Sequence, residues 1–170
     1  MNMQVSFRMI ATRKRHDGVT LRMASAVEYV SPLGEALHAL CLYATDSESC
    51  ALDVQRAVVE ALNNVILHAY GSQTDNEIIV QWYRENRHLR IEIIDYGLSM
   101  SSLPAAVLPA YDAESGRGWW IIHSCVDDYY YKVVECIERE RVYKTEGDSR
   151  YFEDIIVKSH SNILTLIKQF

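Results

Sequence analysis

The feature that most constrains the fold is a pair of alternating segments near the middle of the chain. "EIIVQWYR" and "LRIEIIDYG" each alternate apolar with polar residues, and the short polar stretch "ENRH" separates them. Alternation with a period of two is typical of strands that bury one face, and the polar stretch favours a tight turn. The two segments therefore predict a β-hairpin.

Three other segments have the apolar spacing or the start signals of helices. The first is "AVEYVSPLGEALHALCLYATDS", in which apolar residues recur at helical spacing. After a connector at residues 47–51, a second helix is predicted from about Leu52 to Tyr70, with Gly71 as its C-cap. Glycines open the third helix, "GRGWWIIHSCVDD".

Further strands are predicted on both sides of these helices. Residues 19–25 alternate, and residues 129–170 contain four β-rich segments, "YYYKVVECI", "RVYKTEG", "YFEDIIVK" and "NILTLIKQF". Early helices, antiparallel strands and a third helix between strands predict an α/β (α+β) two-layer sandwich. Its sheet is expected to be mixed, mostly antiparallel, with helices on one face. A chain of 170 residues is expected to form a lead-in at 1–18 and a single domain at 19–170.

Composition narrows the partners and the compartment. The net charge is −6, from 17 basic and 23 acidic residues, and no basic run stands out, so we expect no direct nucleic-acid partner. No signal-peptide core or membrane-length apolar run is visible, which favours the cytoplasm. Four cysteines lack C-x-x-C pairing and are expected to be buried or partly buried free thiols: Cys41, Cys50, Cys125 and Cys136.

The second helix carries an unusual polar face. In "EALNNVILHAY", Glu60, Asn64 and His68 recur every fourth residue, so they share a face that differs from the apolar stripe. A solvated face would explain their polarity. However, asparagine is a mediocre helix former, and an amide oxygen one turn from a carboxylate could hold a hydrated Mg²⁺ and orient a nucleophile.

Two glycine-containing motifs follow the hairpin. In "IEIIDYGLS", Asp95 ends an apolar strand and could accept a hydrogen bond from a ligand amine, while Gly97 permits close approach; a simple turn is the alternative. In "ESGRGWWII", Gly116 and Gly118 flank Arg117 at a helix start, where N–H groups and the guanidinium can bind an anion. An ordinary loop end is the alternative there.

In combination and in this order, the motifs resemble the GHKL (Bergerat-fold) ATP-binding superfamily. "EALNNVILHAY" matches its N-box, E-x-x-x-N-x-x-x-H-A-Y, "DYGLS" its G1 box and "GRGWWII" its G2 box. The short lid, "HAY", "GRG" and the later "VDD" look most like bacterial anti-sigma factor serine kinases of the RsbW/SpoIIAB type. The resemblance covers roughly residues 19–131, and "NILTLIKQF" fits the closing strand.

The resemblance implies a role for each residue of these motifs. Glu60 would be the general base, and Asn64 would coordinate Mg²⁺. Asp95 would bond the adenine amino group, and Gly97 would let the base lie against the backbone. His68 would have a structural role at the helix end. The residues that would line the phosphates are Gly116, Arg117 and Gly118.

The function implied by the resemblance is that of an ATP-binding anti-sigma factor and protein serine kinase. With ATP as substrate and Mg²⁺, it would phosphorylate a STAS-type anti-sigma factor antagonist, sequester a sigma factor and form a homodimer. A non-catalytic ATP-binding scaffold that acts by sequestration is the alternative. The detached ATP-binding half of a histidine kinase ranks lower, because no helical hairpin with a phosphoacceptor histidine is visible.

Three features depart from the family pattern. Ser99 replaces a usual second glycine in the G1 box, which favours the non-catalytic alternative, whereas the presence of both Glu60 and Asn64 favours catalysis. Two consecutive tryptophans follow the G2 box, in the core or on a partner surface. The domain at 19–170 is also expected to contain an added hairpin around 135–160.

Overall fold

A computed structural model describes residues 18–108, 116–146 and 149–170. Within them the strands are β1 (Gly18–Ala24), β2 (Glu77–Glu85), β3 (His88–Asp95), β4 (Asp128–Glu146) and β5 (Ser149–Gln169). The helices are α1 (Val30–Thr45), α2 (Glu48–Asn64) and α3 (Arg117–Cys125). A 3₁₀ turn (Val27–Tyr29) precedes α1, and a π-helical turn (Val65–Ala69) continues α2. The predicted lead-in lies outside the described residues, apart from Gly18.

The described strands form one sheet in the order β1-β2-β3-β5-β4. The predicted two-layer α/β architecture is confirmed, and the predicted hairpin is β2 and β3. We expected a mixed, mostly antiparallel sheet, and every pairing among the described strands is antiparallel. The reason is the position of β5. The strand β4 runs in the same direction as β3, but β5 lies between them and pairs with both.

The core lies between the helices and one face of the sheet. Alternation in β2 and β3 directs apolar side chains toward the helices, where they are fully or almost fully buried: Ile78, Val80, Trp82, Leu89, Ile91 and Ile93. The residues of α2 that face them are Val54, Val58, Ala61 and Leu62. Burying a Val or Leu side chain stabilises the fold by about 1.5–3 kcal/mol. This packing fixes the rotation of α2 about its own axis.

The helix α2 begins four residues earlier than predicted. Ser47 is its N-cap, and the Ser47 hydroxyl accepts a hydrogen bond from the backbone N–H of Cys50 at 3.3 Å. Glu48 follows in the first turn, where a carboxylate favours the helix dipole. The stretch at 47–51 that we interpreted as a connector is therefore a capped helix start. Gly71 follows the π-helical turn with a left-handed φ of 56°, as expected for a C-cap glycine.

The four predicted β segments at the end of the chain form two long strands. β4 and β5 pair from Asp128↔Ile167 to Glu146↔Ser149, but β3 pairs only with residues 162–169. Residues 135–146 and 149–160 therefore extend past the sheet as a two-stranded ribbon. Exposed apolar side chains on this ribbon include Ile137, Phe152 and Ile156. The division of the chain into a lead-in and one domain stays a prediction.

Three of the four cysteines are buried free thiols, as predicted, but Cys136 is exposed on the ribbon, so the prediction is wrong there. Burial raises the pKa of the Cys41 thiol to about 12 and also raises the pKa of Cys50 and of Cys125. In the described ranges, no helix has both the length and the apolar composition of a membrane span.

Native protein should therefore have one thiol that reacts rapidly with a disulfide reagent at about pH 8, because Cys136 is exposed, whereas burial shields the other three thiols and raises their pKa. The absorbance of the released thiolate measures this. Unfolding should expose the other three thiols, and Cys136→Ser should abolish the rapid phase. A second rapid thiol in native protein would contradict the burial of Cys41, Cys50 and Cys125.

Excision of the ribbon should leave the rest of the fold intact. Replacing residues 136–159 by Asn-Gly joins Glu135 to His160, which are directly opposite in the register. The free energy of unfolding in urea should change by less than about 1 kcal/mol, because an isolated two-stranded ribbon is marginally stable in water. Leu166→Ala, at a fully buried site, should cost about 2–5 kcal/mol by comparison. A loss of that size on excision would contradict the prediction.

Candidate functional site

A cleft of about 960 Å³ opens between α2, the loop after β3 and the first turn of α3. Apolar side chains such as Met100 and Leu164 form part of its wall. All but one of the predicted site residues line the cleft: Glu60, Asn64, Asp95, Gly116, Arg117 and Gly118. The fold thus brings residues from three separate motifs to one cavity.

Glu60 and Asn64 belong to the wall that α2 contributes. Because the buried side of α2 faces the sheet, these two side chains project from another side and are only partly buried. The Asn64 Nδ2 atom is buried and has no hydrogen-bond partner among the described residues. Such an unpaired group costs about 1–3 kcal/mol. An acceptor of a bound ligand, such as a phosphate oxygen, could satisfy this Nδ2, while the amide oxygen of the same side chain is the atom able to bind a cation.

The backbone of Gly118 lies close to this pair. A Cβ atom added to Gly118 would lie 3.0 Å from Glu60 Oε2 and 3.5 Å from Asn64 Oδ1. Any side chain at this position would enter the space between the start of α3 and the polar pair. Glycine keeps that space open for a ligand.

The first turn of α3 provides a site for an anion. Gly116 is the N-cap, with φ 93° and ψ 2°, and no side chain of the described residues caps the helix. The N–H groups of this turn have no intrahelical acceptor, and Arg117 adds a positive charge beside them. At the other end of α3, Lys168 Nζ donates to the carbonyl of Cys125 and to Asp53 Oδ2, both at 2.9 Å. These bonds hold α3 against α2.

Asp95 lies at the end of β3 and is 5% exposed. Its Oδ1 accepts hydrogen bonds from Gly97 N at 2.9 Å and from Asn162 Nδ2 at 2.7 Å. No described residue donates to its Oδ2. Burial raises the pKa of the Asp95 carboxyl, and the hydrogen bonds from Asn162 and Gly97 oppose that rise. Asp95 thus offers one free acceptor atom to the cleft.

Gly97 does not line the cleft, and the structure gives it a different steric role. A Cβ atom at this position would lie 2.4 Å from the carbonyl oxygen of Ala69 in the π-helical turn. The next residue, Leu98, donates its N–H to the same oxygen at 2.9 Å. Glycine is therefore required where the loop meets the end of the helix, as well as in the turn after Asp95.

The end of this helix is fixed by Tyr70, and not by His68 as the resemblance implied. The Tyr70 hydroxyl donates to the carbonyl of Glu77 at 2.6 Å and accepts from Tyr96 N at 2.9 Å. His68 is exposed in the cleft wall. The structural interpretation of His68 was wrong because helical spacing alone does not show which residue contacts the sheet.

Three further residues, on β4 and β5, hold the loop after β3, and the sequence did not predict their contacts: Tyr131, His160 and Asn162. Ser99 Oγ donates to Asn162 Oδ1 at 2.6 Å, and Met100 N donates to the Tyr131 hydroxyl at 3.0 Å. His160 Nε2 lies 2.7 Å from the carbonyl oxygen of Gly97. The one available signal was Asn162, a polar residue in register with the apolar alternation of "NILTLIKQF".

The two tryptophans after the glycines are both partly buried. Trp119 lines the cleft and packs on Tyr129, with 5.9 Å between ring centroids. The carbonyl of Trp120 accepts a hydrogen bond from Ser124 Oγ at 2.7 Å. Trp119 thus joins the start of α3 to the sheet, which agrees with the core alternative.

Comparison with known proteins gives one family and several relatives. A family model described as a histidine kinase-like ATPase domain matches residues 23–137. The chain is 29% identical over 134 residues to a serine-protein kinase RsbW of Listeria innocua, covering 72% of this chain and 85% of that protein. The RsbW of Listeria monocytogenes serotype 4a matches to the same extent. An anti-sigma F factor of Clostridium acetobutylicum is 31% identical over 81 residues, 45% of this chain and 56% of that protein.

Because burial raises the pKa of Asp95, its ionised form should lower the free energy of unfolding, and the size of this effect should depend on pH. The contribution of the Asp95 carboxyl to the free energy of unfolding is complete below the unfolded-state pKa. It is lost as the pH rises through the higher folded-state pKa, because the carboxyl must then ionise in a buried site. In Asp95→Asn this loss is absent. Urea unfolding should therefore show the variant gaining stability relative to wild type as the pH rises above about 4, the unfolded-state pKa of an aspartate, by about 1.4 kcal/mol per unit of pKa difference.

Asp75→Asn, in an exposed turn, controls for the loss of one negative charge. An Asp95→Asn difference that stays constant, or that falls as the pH rises, would contradict the prediction.

Proposed function

The chain belongs to the family of histidine kinase-like ATPase domains, and on this basis we propose that it is an ATP-binding anti-sigma factor with protein serine kinase activity. Its substrate would be a serine of a STAS-type anti-sigma factor antagonist, and its second partner a sigma factor. Similarity to a serine-protein kinase RsbW and to an anti-sigma F factor supports both halves of the proposal. A homodimer and a cytoplasmic location are further parts of it.

One observation carries the proposal: the polar pair of α2 faces the first turn of α3 across the gap at Gly118. This places a carboxylate, a carboxamide with a buried Nδ2 that no described residue pairs, and the first-turn backbone N–H groups of α3 within one cleft. Phosphoryl transfer depends mainly on positioning and charge neutralisation, and these groups can provide both. The cleft volume of about 960 Å³ is adequate for a nucleoside triphosphate.

Each residue then has a defined task. The first-turn N–H groups of α3 and the guanidinium of Arg117 would bind phosphate oxygens. Asn64 would hold Mg²⁺, which when bound neutralises phosphate charge and commonly takes few protein ligands together with substrate phosphates. Glu60 would accept the proton of the substrate serine as its Oγ attacks the γ-phosphorus, and ADP would leave.

The base would lie at the other end of the cleft. Asp95 Oδ2 is free to accept a hydrogen bond from the adenine amino group, and apolar side chains such as Leu164 and Met100 would contact the ring. Gly97 would act indirectly, because it permits the loop to lie against the helix end.

Ser99, the unusual residue of the G1 box, was the feature that favoured the non-catalytic scaffold. In the structure the Ser99 hydroxyl has a partner, Asn162, so the fold accommodates this substitution through a specific hydrogen bond. The presence of Glu60 and Asn64 in the cleft favours the kinase.

A phosphoryl-transfer assay tests the proposal. The protein is mixed with γ-labelled ATP, Mg²⁺ and the STAS-type protein encoded nearest its gene, and the label on protein is counted. Glu60→Gln should lower the transfer rate by about 100-fold or more with little change in ATP affinity, because only the base is lost. Asn64→Ala should abolish transfer and also weaken Mg²⁺-dependent binding.

Glu48→Gln provides the control, since Glu48 is an exposed carboxylate at the far end of the same helix. If ATP binds but no protein is labelled, the sequestering scaffold is the correct function. If ATP does not bind, the site assignment is wrong as well.

A further inference from the structure

Asn162 is a buried polar residue in an apolar position. It is 1% exposed, on the same face of β5 as Leu164 and Leu166, and its register partner in β3 is Asp95. Burial of an amide is unfavourable unless its hydrogen bonds are made. Its contacts therefore need an explanation beyond packing.

The carboxamide of Asn162 is held in one orientation. Its Nδ2 donates to Asp95 Oδ1 at 2.7 Å and to the carbonyl oxygen of Gly97 at 3.1 Å, while its Oδ1 accepts from Ser99 Oγ at 2.6 Å. Exchange of the oxygen and nitrogen would place Oδ1 against the carboxylate and the carbonyl, both of which are acceptors. Ser99 stands where the family usually has glycine, and its hydroxyl is the donor that pairs the Oδ1 of Asn162.

These bonds determine what Asp95 presents to the cleft. Asn162 and Gly97 N both bond to Oδ1, which fixes the plane of the carboxylate and leaves Oδ2 as an acceptor. An acceptor at this place suits the 6-amino group of a purine and repels the 6-oxo group of guanine or hypoxanthine. A site built for one hydrogen-bonding pattern can reject its analogue strongly, because the wrong ligand leaves buried groups unpaired.

We propose that Asn162, oriented by Ser99, is a positioning residue that makes the cleft selective for 6-aminopurine over 6-oxopurine nucleotides. The inference rests on the proposed ATP site and names what sets its base specificity. Neither Asn162 nor Ser99 bonds to the base; both act through Asp95.

A purely structural role predicts a different result. If the Asn162 bonds only held the loop in place, their loss would weaken the binding of every purine nucleotide by the same factor. The ratio of the ITP Kd to the ATP Kd separates the two roles, because ITP differs from ATP in carrying a 6-oxo group on the base. This ratio can be measured by displacement of a fluorescent nucleotide in the presence of Mg²⁺.

Asn162→Asp and Asn162→Leu are the principal variants, in the full chain. The Asp variant places a second carboxylate beside Asp95, so the pair retains a proton that can be donated to a 6-oxo group. We expect the ratio to fall by about 10-fold or more in both variants. Ser99→Ala removes one hydroxyl from a more exposed position and should lower the ratio by about 3-fold.

His160→Gln is the control for the loop, because His160 lies on the same strand as Asn162, with its Nε2 2.7 Å from the Gly97 carbonyl oxygen, and unlike Asn162 it makes no hydrogen bond to Asp95 among the described residues. It should change both Kd values by the same factor. Equal changes in the Asn162 variants would overturn the inference and leave the ATP site intact. If both Asn162 variants fail to fold by circular dichroism, Ser99→Ala decides: an unchanged ratio overturns the inference. Wild-type protein that does not bind ATP would refute the proposed function itself.

Discussion

The contact between Gly97 and Ala69 is the constraint on which the cleft depends. The loop after the central strand β3 reaches the π-helical turn at the end of α2 only because position 97 has no Cβ atom. The Leu98 N–H then donates to the Ala69 carbonyl oxygen. The Tyr70 hydroxyl adds bonds to the adjacent strand and loop. Two walls of the cleft are thereby joined by backbone contacts, so the separation between Asp95 and the polar face of α2 is fixed by the fold.

The polar groups of the cleft are positioned by apolar burial elsewhere. Fully buried side chains such as Val54, Val58 and Leu62 hold α2 on the sheet, and their combined stabilisation greatly exceeds the cost of one unpaired amide at Asn64. The fold can therefore retain an unsatisfied group at a functional site. Lys168 positions α3 in a similar way. It bonds the C-terminal end of α3 to α2, and the N-terminal end of α3 faces the cleft.

The sequence predicted the parts of the fold and site that depend on local pattern. Helical and alternating periods located the helices and the hairpin, and the order of the motifs located the residues of the cleft. The start of α2 was missed because a serine before a helix can be either a cap or a connector. Asn162 was missed because its partners are distant in sequence, and only the β3–β5 register brings it to Asp95. Sequence periodicity likewise could not show that Tyr70, rather than His68, contacts the sheet.

The charge distribution explains why the proposed nucleotide site needs local positive groups. The chain has a net charge of −6, and the described residues that line the cleft include the carboxylates of Glu60 and Asp95. The overall field therefore does not attract a polyphosphate. In the proposed site, attraction would come from the first turn of α3, from Arg117 and from a divalent cation that Asn64 would hold. The proposal therefore directs the phosphates to the start of α3 and the base toward Asp95. Phosphate binding and base selectivity, as proposed, would then depend on separate sets of residues.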